Sequence, residues 1–211
     1  AALTTTQVST MTSDDVAALT TAQLQSLGSA QIGALSTEAI VALGSAQVGA
    51  LTTKQVAGLT TDQMAAIETG DLRALNSAAL RALSTDQLNA LGSDQVAALS
   101  TVQVAALTTA QVAGLTSDDL NALGSAQIKA LGTAQVAALT TAQVNAMESA
   151  DVQALSTQQV AALGSAQVGA LSTESVVALT STQVAALSSK QVAGLTTDQM
   201  AALETGDLKA L

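Results

Sequence analysis

The chain repeats every eight residues without a slip, and that period constrains its fold more than any other feature. Read from Thr4, it divides into TTTQVSTM, TSDDVAAL, TTAQLQSL, GSAQIGAL and so on to ETGDLKAL, giving 26 octads over residues 4–211 with no insertion. A fixed short period implies stacked equivalent units and one continuous array over 1–211, with no conventional domain boundary. The octad has the form [T/S/G]-[S/T]-x-Q-[V/L/I/M]-x-A-[L/M/I]. Positions five and eight are always aliphatic. Position seven is Ala, as in Ala18, Ala50 and Ala98, or Gly at Gly58, Gly114 and Gly194, with exceptions at Thr10 and Ser26. So narrow a size range suits backbone packed closely against a neighbour. Positions three and six vary freely, from Lys54 to Asp62 and from Arg73 to Val41, and are expected to face water.

Three folds compete for this period. In one continuous helix eight residues advance about 800°, roughly 80° past two turns, so an apolar stripe at positions five and eight would spiral away from any seam. A β-solenoid keeps the parity of the period, but the Ala content and the absence of aromatics oppose strands. The remaining reading makes each octad one short helix of about two turns followed by a tight bend. Ser or Thr at position one with Gln at position four forms a capping box, as in Thr20 with Gln23, Ser84 with Gln87 and Thr108 with Gln111. Gly at position one, as at Gly28, Gly44, Gly92, Gly124, Gly132 and Gly164, is expected to end the preceding helix with a positive φ. Positions one, five and eight then share the buried face, so that Val56 and Leu59 point inward together. A helix this short does not persist alone in water and must dock on its neighbours. The expected fold is therefore all-α, a compact α-solenoid or superhelix of 26 capped helices. Residues 28–75 and 164–211 are near-duplicates, 17 octads apart. Seventeen is divisible by neither two nor three, which points to the single octad as the building block.

Composition closes most chemistry. The chain lacks Pro, Cys, His, Phe, Tyr and Trp, so Ser or Cys nucleophiles have no imidazole base and zinc has no nitrogen or sulfur ligands. A net charge of −10, from 6 basic and 16 acidic residues, repels phosphate backbones and argues against nucleic acid as a partner. The uncharged stretches 16–37 and 95–117 carry Thr, Ser, Gln and Gly at the repeat period, so no membrane insertion is expected. The opening Ala1-Ala2-Leu3 lacks the basic start of a secretory signal and reads as a fragment or processed product. The Asp14-Asp15 and Asp118-Asp119 pairs lack calcium-loop spacing and complement a helix N-terminus; Glu68, Glu148 and Glu204, each three residues before an Asp, read as acidic variants of the cap. Lys54, Arg73, Arg81, Lys129, Lys190 and Lys209 are scattered and read as solubilising charges, and Met11, Met64, Met147 and Met200 as core substitutes. Catalytic, cofactor-binding and metal-binding residues are all expected to be absent.

The Gln at position four recurs in 18 of the 26 octads. Its structural reading is the cap; its functional alternative is a ladder of amides along one face that binds a repetitive partner, such as a glycan or another copy of the chain. The octads STDQLNAL and TTDQMAAL resemble the octapeptide repeats of large haemagglutinin-like adhesion proteins secreted by, or displayed on, Gram-negative bacteria. That resemblance implies an extracellular or cell-surface stalk or fibre segment, self-associating end to end or continuing into further repeats. A solenoid adhesin that recognises a peptide, glycan or host surface is the alternative it implies.

Overall fold

The computed structural model describes residues 3–211; Ala1 and Ala2, with which the expected processed terminus begins, lie outside them. Among the described residues there is no strand, and 26 short helices run from α1 (Thr5–Ser9) to α26 (Thr205–Leu208), one per octad. Each is only 4 to 6 residues long, shorter than the two turns expected from the period. The reason is visible at both ends.

The start of each helix is set by position one. Thr60 is extended (φ −77°, ψ 165°); its Oγ1 accepts from the Gln63 N–H at 3.2 Å, and Gln63 Oε1 accepts the Thr60 N–H at 2.8 Å. This is the expected box, satisfying two donors the helix leaves orphaned. At the other end, position eight is already out of the helix. Ile67 has φ −64° and ψ 128°, and its N–H reaches back only to the Met64 carbonyl at 3.3 Å. Two consecutive extended residues, at positions eight and one, make the bend.

This geometry corrects two expectations. Gly44 and Gly92 are N-caps with φ −83° and −75°, and no described Gly has a positive φ. Since the bend is extended rather than left-handed, Gly at position one brings no conformational benefit there and merely omits the hydroxyl cap. Position one is also not part of the buried face. Lying before the helix it is exposed, as at Thr60 and Gly92, while position four joins five and eight inside, as with Gln63 at 2%, Met64 at 0% and Ile67 at 3% exposure.

The chain divides into two compact units, Ala1–Leu107 and Thr108–Leu211, the division falling between two octads. Within each, a helix packs on the one three octads later. In the first unit α2 (Ser13–Ala17) stacks on α5 (Thr37–Val41), α5 on α8 (Thr61–Ala66) and α8 on α11 (Thr85–Asn89). In the second, α16 (Ser125–Ala130) stacks on α19 (Ser149–Ala154), α19 on α22 (Thr173–Val177) and α22 on α25 (Thr197–Ala202). One coil is therefore three octads. Burying the aliphatics at positions five and eight contributes about 1.5–3 kcal/mol per fully buried side chain, repeated along the array but not in the last octad, where Leu208 and Leu211 are exposed. The chain is a repeat solenoid, built from interchangeable short steps.

The internal duplication carries its contacts with it. Ser45 donates from Oγ to Asp71 Oδ1 in the first copy, and Ser181 does the same to Asp207 at 2.8 Å in the second. Gly33 closes on Gly58 in the first and Gly169 on Gly194 in the second. Seventeen octads are not a whole number of three-octad coils, so the partners are retained within each six-octad block. That supports the octad as the exchangeable step.

Candidate functional site

The repeated chemistry of this chain resides in the position-four amide, and its role is wider than a cap. In Gln63, Oε1 caps its own helix while Nε2 donates to the carbonyls of Ile32 at 3.0 Å and Leu35 at 2.7 Å, 31 and 28 residues earlier. Gln55 makes the same pair with Leu24 and Leu27, and Gln87 with Val56 and Leu59. In the second unit Gln159 bonds Ile128 and Leu131, at 2.8 Å each, and Gln191 bonds Val160 and Leu163, also at 2.8 Å each. The acceptors are carbonyls at the end of the octad four back, where the regular helical bonding runs out. One side chain thus serves the N-terminus of its own helix and the C-terminal end of another in an earlier coil.

The buried amides cannot form the exposed binding face that the alternative reading requires. Gln55, Gln63 and Gln159 are each 2% exposed, and both ends of each amide are engaged. Gln7 and Gln23, in octads with no described coil before them, are exposed and make only the cap. Octads beginning with Gly keep half of the box. Gly44 N–H donates to Gln47 Oε1 at 3.0 Å, and Gln47 Nε2 reaches Val16 at 3.0 Å and Leu19 at 2.8 Å.

A second set of links runs the other way from position six. Gln25 Nε2 donates to the Ala50 carbonyl at 2.7 Å, Arg73 Nε to Ala98 at 2.7 Å and Arg81 Nε to Ala106 at 2.9 Å, all 25 residues on. In the second unit Asn121 and Asn145 donate likewise to Ala146 and Ala170. Gln25, Arg73, Arg81 and Asn145 are exposed and Asn121 is half-buried, and all five tie coils together, so Arg73 and Arg81 do more than solubilise. Sequence alone could not show this, because the acceptor is a backbone atom three octads away.

The acidic residues divide by environment. Asp15 acts as expected, its Oδ2 accepting from Thr12 N–H at 3.0 Å and Thr12 Oγ1 at 2.8 Å, bonds that hold its carboxyl below the usual range. Glu68, Glu148 and Glu204 occupy N-cap positions but make no side-chain cap bond, contrary to the acidic-cap reading. Met64 and Met147 lie in the core as expected, whereas Met11 and Met200 are only half-buried. The Asp14-Asp15 and Asp118-Asp119 pairs lie in the first turns of their helices. Among the described residues no group of three or more metal-ligating side chains forms. Two open depressions, of about 490 Å³ and 370 Å³, are lined in part by Glu68 with Asp94 and by Glu148 with Glu174. No helix among the described residues is long and apolar enough to cross a membrane.

The three-octad coil also reveals a charge pattern hidden in the linear sequence. Asp14, Glu38, Asp62 and Asp86 recur at position three of every third octad and fall on the stacked helices α2, α5, α8 and α11, which carry no basic residue. Stacked helices lie about 8–10 Å apart, close to the Debye length of ~10 Å at 0.1 M salt, so these exposed carboxylates repel one another mainly at low ionic strength. Raising NaCl from about 20 to 300 mM is expected to increase the thermal midpoint by about 2–4 °C. Replacing Glu38 with Gln should remove much of that increase. A midpoint independent of salt in calorimetry would show that the column carries no net repulsion.

No curated protein is similar enough to this chain to count as a match. The ALTTAQ repeat, in contrast, matches it at residues 10–44, 26–61, 64–101, 112–147, 144–181 and 176–205. These segments leave out only 1–9, 62–63, 102–111 and 206–211, and they cover most of the octads whose capped helices and bridging glutamines make up both units. The chain belongs to the ALTTAQ repeat family.

Proposed function

We propose that this structural repeat module is an extracellular stalk or fibre segment of a bacterial surface or secreted protein, acting by spanning distance and not by catalysis. The observation that supports it most is the amide ladder. Each added octad with a position-four Gln brings the same cap and the same pair of bonds to the octad four before it, so the array lengthens without any specialised residue. Exposed Nε2 groups on Gln7 and Gln23 are what a preceding coil of octads would engage, whether from the same chain or from a second copy docking end to end. The adhesin alternative, recognition of a glycan or host surface, has no exposed amide row to draw on, and the chain lacks the Trp and Tyr that favour hot spots.

Electron microscopy together with light scattering tests the proposal. A rod whose length increases in equal steps as three-octad coils are added is the expected result, with end-to-end oligomers at high concentration. Particles that stay globular as coils are added would count against it. A glycan or host-protein array showing saturable binding would favour the adhesin.

A further inference from the structure

The ladder has one rung that differs in kind. Position four of octad 148–155 is Asp151, buried at 6% exposure within α19. The other buried acids at this position have a hydroxyl donor. In the second unit Asp207 accepts from Ser181 at 2.8 Å, and Asp119 accepts from Thr116 Oγ1 at 2.6 Å. Asp151 has none. Its N-cap is Glu148, which has no hydroxyl to offer, and no hydrogen bond from a described residue reaches its carboxyl oxygens. The register that takes the bridging glutamines to carbonyls 28 and 31 residues earlier assigns Leu123 and Leu120 to this rung. A neutral carboxylic acid can donate to one of those carbonyls, as the still shorter Ser175 at the same octad position donates to the Met147 carbonyl 28 residues earlier at 3.3 Å. A carboxylate can only oppose them.

We propose that Asp151 is a protonation-controlled joint in the ladder of residues 108–211, closed when its carboxyl is neutral and donates to the end of octad 116–123, and loosened when it ionises. The charges around it favour the neutral form. Glu148 lies on its own octad, Glu174 on the overlying α22 and Asp118 and Asp119 on octad 116–123, while Lys129 on α16 is the one cation that the described helices packed against α19 carry. Glu148 and Glu174 also share the depression of about 370 Å³ beside the start of α19. Burial, and secondarily the negative charge of Glu148, push the carboxyl up from 3.8 to about 6. An acid held above its unfolded value binds its proton more tightly in the fold. Its contribution is complete below about pH 4 and is lost as pH rises through about 6.

The test follows urea unfolding of the intact chain and of Asp151→Gln between about pH 4 and 8, with a ¹³C titration of the Asp151 carboxyl in the unsubstituted protein. The expected result is a carboxyl that titrates near 6 and an unfolding constant that increases, relative to Asp151→Gln, by about 10- to 100-fold across that interval. Hydrogen exchange should quicken over residues 116–123 and 148–155 at the upper end. Asp151→Asn, a shorter amide that fits where Asp does, should reduce the pH dependence in the same way if the longer Gln does not fold. A carboxyl that titrates near 4, or a wild-type-to-variant ratio that is the same at every pH, would overturn the proposal.

Discussion

Replacing Gln63 with Ala should destabilise the first unit by about 3 kcal/mol, more than any exposed substitution in the chain. Three bonds vanish together. The Thr60 N–H loses its acceptor at 2.8 Å, and the Ile32 and Leu35 carbonyls lose donors at 3.0 and 2.7 Å. The Ile32 carbonyl keeps the Leu35 N–H at 3.1 Å. Leu35 has no such second partner among the described residues, and its orphaned carbonyl, together with the space vacated by a side chain only 2% exposed, accounts for most of the loss. Gln23→Ala is the control. Gln23 is exposed and makes only the cap with Thr20, so its loss should cost about 0.5–1 kcal/mol. Gln63→Glu separates the two halves of the amide, because it keeps an acceptor and loses the donor unless protonated. It should be about as damaging as Ala at pH 8 and partly recover toward pH 5. Urea unfolding of the three variants, with hydrogen exchange localised to residues 28–67, checks all of this; equal losses at Gln63 and Gln23 would mean that the bridge to the preceding coil contributes nothing.

Gly58→Ala should be the next most damaging, at about 1–3 kcal/mol from forced overpacking. A Cβ at Gly58 would lie 2.7 Å from Ser29 Cβ and 2.8 Å from Ser29 O, and one at Gly33 would lie 2.6 Å from the Gly58 carbonyl. The obstacles are backbone atoms and the first atom of a side chain, so relief requires α4 (Ser29–Ile32) and α7 (Thr53–Val56) to move apart. The duplicate makes the same demand, with a Cβ at Gly194 falling 2.6 Å from Ser165 O. Gly44→Ala marks the contrast. Nothing lies within 4 Å of its Cβ, and its φ of −83° suits any residue, so the change should stay within about 0.5 kcal/mol. Melting curves of the two variants beside the unsubstituted chain would settle the matter. If Gly58→Ala and Gly44→Ala melted alike, the close approach of α4 and α7 would have no energetic weight.

Both experiments probe features the sequence hinted at without explaining. Gln appears after Gly as well as after Ser or Thr, as in Gly28–Gln31 and Gly164–Gln167. A capping box without its hydroxyl gives only half the reason to keep Gln, and that surplus regularity was the available signal of a second role. Gly at position seven announces close packing in the sequence itself, because it removes a methyl where the other octads keep one. The atoms it packs against, on Ser29, and those the amide reaches, on Leu35, were hidden, since they belong to octads three or four steps away.

What the sequence determined by itself is everything held within one octad. The capping box spans four residues, and its geometry is fixed by the helical backbone, so the helix starts at Thr60 or Ser84 were legible as soon as the period was found. The aliphatics at positions five and eight fixed which side is inside. The tertiary structure decided the number of helices in a coil, and with it every relation between octads three or four apart: the amide bridges, the position-six clamps, the Gly58 contact, the column from Asp14 to Asp86 and the solitary Asp151. That number follows from how Val, Leu and Ala side chains of neighbouring helices fill the space between them, a packing balance summed over many contacts that no local pattern encodes. An eight-residue period is compatible with several coil sizes, and only close packing selects three.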